Sequence, residues 1–125
     1  MLKNILLVGT GGFIGTVARY LVSRLNFHIE FFSIPLGTLT VNVVGSFIIG
    51  FLMGISEKST LLTFELRLLL MVGLCGGFTT FSTFTGENLA LLHHGQFLPV
   101  IVYTALSILL GFTAVYLGFI TSNLL

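Results

Sequence analysis

Charge is what this sequence has least of. Five Lys or Arg and four Asp or Glu make up 7% of its 125 residues. A soluble domain carries about 25%. A chain so poor in charge, and 55% hydrophobic, has no polar surface to show to water. The lipid bilayer is the solvent that removes the difficulty. The net charge of +1 leaves no basic patch for nucleic acid and no acidic tail. Cysteine is nearly absent too. Cys75 stands alone in an apolar run, which excludes a disulfide within the chain and any CxxC metal pattern. No cluster of Asp, His or Cys suggests a metal enzyme, and neither a nucleophile elbow nor a carboxylate pair is visible. The N-terminal apolar run leads into more apolar sequence rather than a polar mature domain, so it reads as retained, not as a cleaved signal.

What remains is organised as four apolar runs. A helix needs roughly 20 residues to cross a ~30 Å hydrocarbon core. The sequence predicts an all-α membrane protein with spans at about 4–25, 35–56, 66–92 and 98–121, forming one domain over 1–125. Runs this long and uniform suit helices rather than alternating barrel strands. The connections hold most ionisable residues: Arg24, His28 and Glu30 at the first, Glu57, Lys58, Glu65 and Arg67 at the second, His93 and His94 at the third. Pro35 suits the first turn of the second helix. Lys3, Lys58 and Arg67 lie toward one side, with Arg24 and Arg19 toward the other, so the bias that fixes orientation is small. A chain balanced in this way can insert either way up.

Fifteen glycines are placed with a period. Gly11 and Gly15, then Ser46, Gly50 and Gly54, then Gly73 and Gly77 each repeat at four residues. Thr104, Ser107, Gly111, Ala114 and Gly118 follow a 3-4-3-4 pattern. Such stripes let helices approach closely in lipid. Gly9-Thr10-Gly11-Gly12 lacks the strand and βαβ unit that a dinucleotide loop needs.

Polar residues at membrane depth are costly and are candidates for function. The densest group is Gly76-Gly77-Phe78-Thr79-Thr80-Phe81-Ser82-Thr83-Phe84. Adjacent glycines and hydroxyls favour a break in the third helix near the midplane, against the alternative of a kinked, continuous packing helix. A break frees carbonyls, which hold small cations, and N–H groups, which favour anions. Phe81 and Phe84 share a face, and Thr80, Thr83 and Glu87 share its neighbour. Both phenylalanines also suit core or lipid contact. Thr38, Asn42 and Ser46 form one stripe of the second helix, with Asn42 about two turns deep and offering two N–H donors. Tyr103 and Ser107 are four apart in the fourth helix. Arg19 reads either as a snorkelling anchor or as an anion-attracting residue at a pore mouth. Glu87 reads as a proton carrier or as a polar residue paired by hydroxyls. The buried polar groups are mainly uncharged donors, which suits passage of a small, strongly hydrated anion that a full positive charge would trap.

These residues resemble the small fluoride channels of the Fluc or CrcB family over nearly the whole chain. The resemblance is carried by Gly11-Gly12-Phe13-Ile14-Gly15 through Arg19-Tyr20, and by Gly37-Thr38-Leu39, Val41-Asn42 and Gly45-Ser46-Phe47. Most specific is Gly73-Leu74-Cys75-Gly76-Gly77-Phe78-Thr79-Thr80-Phe81-Ser82-Thr83-Phe84, followed by Glu87. The fourth helix matches through Tyr103 and Ser107 alone. The resemblance implies a passive fluoride-selective channel of the bacterial inner membrane, relieving fluoride toxicity, built as an antiparallel homodimer with two pores. It implies a structural sodium ion at the dimer centre, held by the backbone carbonyls of Gly76 and Thr79 from each subunit. It implies Asn42, Phe81 and Phe84 as pore residues, with Thr80, Ser82, Thr83, Glu87, Tyr103 and Ser107 as further pore-lining candidates. Two other classes compete. A dual-topology proton-coupled exporter would want a carboxylate within the first helix, where there is none. A non-transporting membrane scaffold would pass no ion.

Overall fold

A computed structural model describes residues 1–24, 28–29 and 33–125, the side chains of residues 28 and 29 excepted. The predicted end of the first span at Leu25, the side chain of His28 and the whole of Glu30 lie outside the described residues. The first helix, α1, runs Leu2–Ser23 and the second, α2, Leu36–Lys58. A short α3, Phe64–Arg67, passes into a π-helical segment, Leu68–Cys75, and then into α4, Gly76–Phe78. Helix α5 follows at Ser82–His93, and α6 spans Phe97–Ser122. Among the described residues, four stretches are long and apolar enough to cross a membrane: Leu2–Ser23, Leu36–Lys58, Phe64–His93 and Phe97–Ser122.

Local chemistry accounts for the ends. The hydroxyl of Thr63 accepts the Leu66 N–H at 3.2 Å, so α3 starts on a conventional cap. Gly95, with φ of 71°, breaks the chain between α5 and α6 in a conformation that costs glycine nothing. Pro35 stands one position outside α2 rather than in its first turn. It belongs to β2, Ile34–Pro35, which pairs antiparallel with β1, His28–Ile29, in the register His28 with Pro35 and Ile29 with Ile34. This two-residue ladder is absent from the sequence reading, because two residues carry no periodicity.

The main packing joins α1 to the π segment and α4, and α2 to α6. Small residues make both contacts. A Cβ on Gly11 would meet the backbone of Leu69 and Leu74, and one on Gly15 the backbone of Leu74 and Phe78. Across the molecule, Gly50 lies against the Val115 carbonyl and Gly118 against Phe47 and Phe51. Helix backbones touch where a side chain would hold them apart, which is how lipid-embedded helices gain dispersion contact. The two pairs meet along two cores. Ile34, Leu39 and Tyr103 form one, with Phe84 packed on it. Leu52, Leu62 and Cys75 form the other. At one end, Lys3 pairs with Glu65 at 3.3 Å, and the Lys58 ammonium donates to the Ser122 carbonyl at 3.2 Å.

Candidate functional site

The helical backbone of the third span stops at Phe78 and resumes at Ser82. Thr79 is extended, with φ of −85° and ψ of 158°. Its N–H and its hydroxyl both donate to the Cys75 carbonyl, at 3.0 and 2.9 Å. Thr80 then leaves the helical pattern. Its N–H, which would close the next α-turn onto the Gly76 carbonyl, donates instead to Asn42 Oδ1 at 2.8 Å. Its carbonyl accepts from Asn42 Nδ2 at 3.0 Å. The Asn42 amide thus pairs with both backbone groups of one residue, as a neighbouring strand would. The Thr80 hydroxyl accepts the Thr83 N–H at 3.2 Å and helps start α5. In lipid an unpaired backbone group costs several kcal/mol, so α2 supplies what the interruption would otherwise lack.

Against this interruption lies a crevice of about 450 Å³. Asn42, Ser46, Thr79, Thr80 and Ser107 supply its polar wall. Phe81, Phe84, Ile49, Met71 and Ile108 supply its apolar wall. The Ser107 hydroxyl is buried and has no partner among the described residues. Phe81 and Phe84 lie 6.0 Å apart between ring centroids. The edge-to-face contact of Phe84 with Tyr103, at 4.9 Å and 68°, ties it to α6. Phe81 is 77% exposed in the single chain, and Gly76 has no atom near its missing Cβ. The crevice is therefore open on the side that these two residues face.

The other candidates fall into two further groups. Glu87 is buttressed by hydroxyls: Thr38 donates to Oε2 at 2.9 Å and Tyr103 to Oε1 at 2.8 Å. Tyr103 is fully buried, whereas Glu87 itself is half-buried, held between hydroxyls of α2 and α6. Glu87 lines a separate hollow of about 360 Å³ with Ser33, Pro35, His94 and Gln96. Arg19 lines a third, of about 230 Å³, with Thr16, Tyr20, Thr38, Thr80 and Thr83. Thr80 belongs to both this hollow and the main crevice. Ser82 lines none of the three and is exposed, its carbonyl accepting from the Thr85 hydroxyl. The structure thus gathers Asn42, Gly76, Thr79, Thr80, Phe81, Phe84 and Ser107 in one place and sets Glu87, Arg19, Thr83 and Ser82 apart. Two residues gain roles that the sequence reading did not give them. Thr38 holds Glu87, and Ser46 lines the crevice. Their four-residue spacing from Asn42 was the available signal.

Apolar spans around a crevice of uncharged donors, with its carboxylate and guanidinium set apart, define a multi-pass membrane protein. The chain belongs to the family of CrcB-like proteins, Camphor Resistance (CrcB), whose pattern matches residues 6–119. It is 44% identical over 123 residues to the fluoride-specific ion channel FluC of Azobacteroides pseudotrichonymphae genomovar. CFP2, covering 98% of each chain. It is 46% identical over 120 residues to FluC of Chlorobium luteolum (96% of this chain, 92% of the relative). It is 45% identical over 119 residues to FluC 1 of Methanosarcina acetivorans (95% and 90%).

Proposed function

We propose that two copies of this chain, inserted antiparallel, form a passive fluoride-selective channel in the bacterial inner membrane, through which accumulated fluoride leaves the cell. The observation that carries this is the crevice. Its donors are the Asn42 amide, the unspent Ser107 hydroxyl and the edges of Phe81 and Phe84, in a chain whose relatives bear the name of fluoride channels. Fluoride holds water tightly, so a path must replace that water with donors. Aromatic edges carry partial positive charge, which attracts an anion without trapping it. Thr80 borders both the crevice and the Arg19 hollow, so it extends the candidate path toward Arg19 at its mouth, with Thr83 beside it. Tyr103 backs Phe84, and Glu87 and Ser82 lie off the crevice.

A second copy supplies the wall that one chain lacks at Gly76 and Phe81. Antiparallel insertion is supported by charge. Three Lys or Arg (Lys3, Lys58, Arg67) stand against two (Arg19, Arg24). The helix-three break, in this reading, lies near the midplane. It presents the Gly76 and Thr79 carbonyls of both copies to one sodium ion at the dimer centre. The residues suit the ion: the Thr80 N–H is diverted from the Gly76 carbonyl, and hard oxygen donors without carboxylates favour a monovalent cation. When bound, the ion contributes a fixed positive charge at the dimer centre.

The deciding experiment is fluoride efflux from liposomes containing only this chain. The channel reading expects passive efflux that needs no pH gradient. Efflux that requires one and stops in Glu87→Gln would indicate a proton-coupled exporter, and an inserted dimer that passes nothing a scaffold.

A further inference from the structure

We infer that Asn42 is a positioning residue for the cation site, holding the Gly76 carbonyl open as well as lining the crevice. The inference rests on the proposed carbonyl site. Its ground is one of the hydrogen bonds that a continuous helix would make and this one does not. Thr79 N–H still donates to Cys75 in the helical manner. One residue later, Thr80 N–H turns from Gly76 to Asn42 Oδ1, and the Thr80 carbonyl takes Asn42 Nδ2. The N–H and carbonyl of Thr80 are then both taken by Asn42, and its hydroxyl accepts the Thr83 N–H. Thr80 is also buried, at 8% exposure.

The extended conformation of Thr79 carries Thr80 toward α2, where Asn42 waits. The interruption is therefore held from α2 and not only by the local preference of Gly76-Gly77. Without the Asn42 side chain, the nearest helical acceptor for Thr80 N–H is the Gly76 carbonyl. Closing that turn withdraws the carbonyl from a cation. Asn42→Asp separates the two functions of the amide. It keeps an oxygen to accept Thr80 N–H, so the Gly76 carbonyl stays free. It loses both N–H groups, the one that donates to the Thr80 carbonyl and the one left for the crevice.

The test uses the full-length dimer in detergent, with sodium titrated against N-methylglucamine at constant ionic strength. Two signals are read: the sodium-dependent rise in unfolding temperature, and amide exchange in peptides covering 76–83. The parent is expected to show a saturable sodium response. Asn42→Ala should need about tenfold more sodium, the scale of one rearranged hydrogen bond. Its Thr80 amide should also exchange independently of sodium. Asn42→Asp should respond at or below the parent's sodium midpoint while losing fluoride flux, a split that simple misfolding does not produce. A responding parent with an identical Asn42→Ala overturns the inference alone, as does Asn42→Asp weakened like Asn42→Ala. A parent with no sodium response overturns the carbonyl site and the inference with it.

Discussion

Phe84 touches both halves of the polar system, with Phe81 on one side and Tyr103 on the other. Phe84→Ile keeps bulk and removes the ring edge, and it should cut fluoride efflux strongly while the dimer stays intact by gel filtration. Phe78→Ile is the control, since Phe78 is outside the crevice. Efflux at matched protein content decides the matter, and parent-like flux in Phe84→Ile removes the ring from the path. Asn42→Asp places an oxygen against the Thr80 carbonyl and repels an anion in the crevice. Losing a donor to a charged group costs about 1.5–3 kcal/mol, and about 1.4 kcal/mol is tenfold in rate. Flux should therefore fall by more than tenfold. Tyr103→Phe removes the Tyr103 hydroxyl from Glu87 and should lower stability by about 1–3 kcal/mol, read as a lower unfolding midpoint in detergent. An unchanged midpoint would mean that the Tyr103 hydroxyl contributes nothing to holding that carboxylate.

At the scale of elements, the tightest constraint is backbone against backbone. Gly15→Ala sets a methyl against the Leu74 carbonyl and should destabilise by about 1–3 kcal/mol, as overpacking does. Gly9 has nothing within 4 Å of its missing Cβ. Gly9→Ala should be neutral or stabilising, because alanine is the better helix former. Thermal unfolding of the two variants side by side checks the contrast. Four-residue glycine spacing made these contacts legible in sequence, just as unbroken apolar runs made the four spans legible. Both signals are local. The π-helical stretch Leu68–Cys75 was not legible, since its leucines, methionine and valine suit an α-helix equally and the two differ only in which carbonyl each N–H reaches. The Asn42–Thr80 pairing lies 38 residues apart in sequence. Asn42 could be recognised as a polar residue at depth, but not as the partner of a particular backbone. Thr38 was visible on the same stripe, yet only packing shows that it reaches Glu87.

Considered whole, the molecule carries cations at both ends in almost equal number. Reporters fused after Leu125 should therefore be found on both sides of the membrane, and two or three lysines added there should shift all copies one way. A single orientation in the unaltered chain would rule out an antiparallel dimer. The pairing of helices also has a consequence for synthesis. The extensive contacts join the first span to the third and the second to the fourth, with little between chain neighbours. A ribosome delivers the spans in order, so no helix meets its principal partner as the next segment to emerge. The first must wait through the whole of the second, and the second must hold Thr38 and Asn42 in lipid until the third supplies Glu87 and Thr80. Half of the packing can form only after the last helix has left the ribosome. This small fold therefore closes only once the fourth span arrives, rather than hairpin by hairpin along the way.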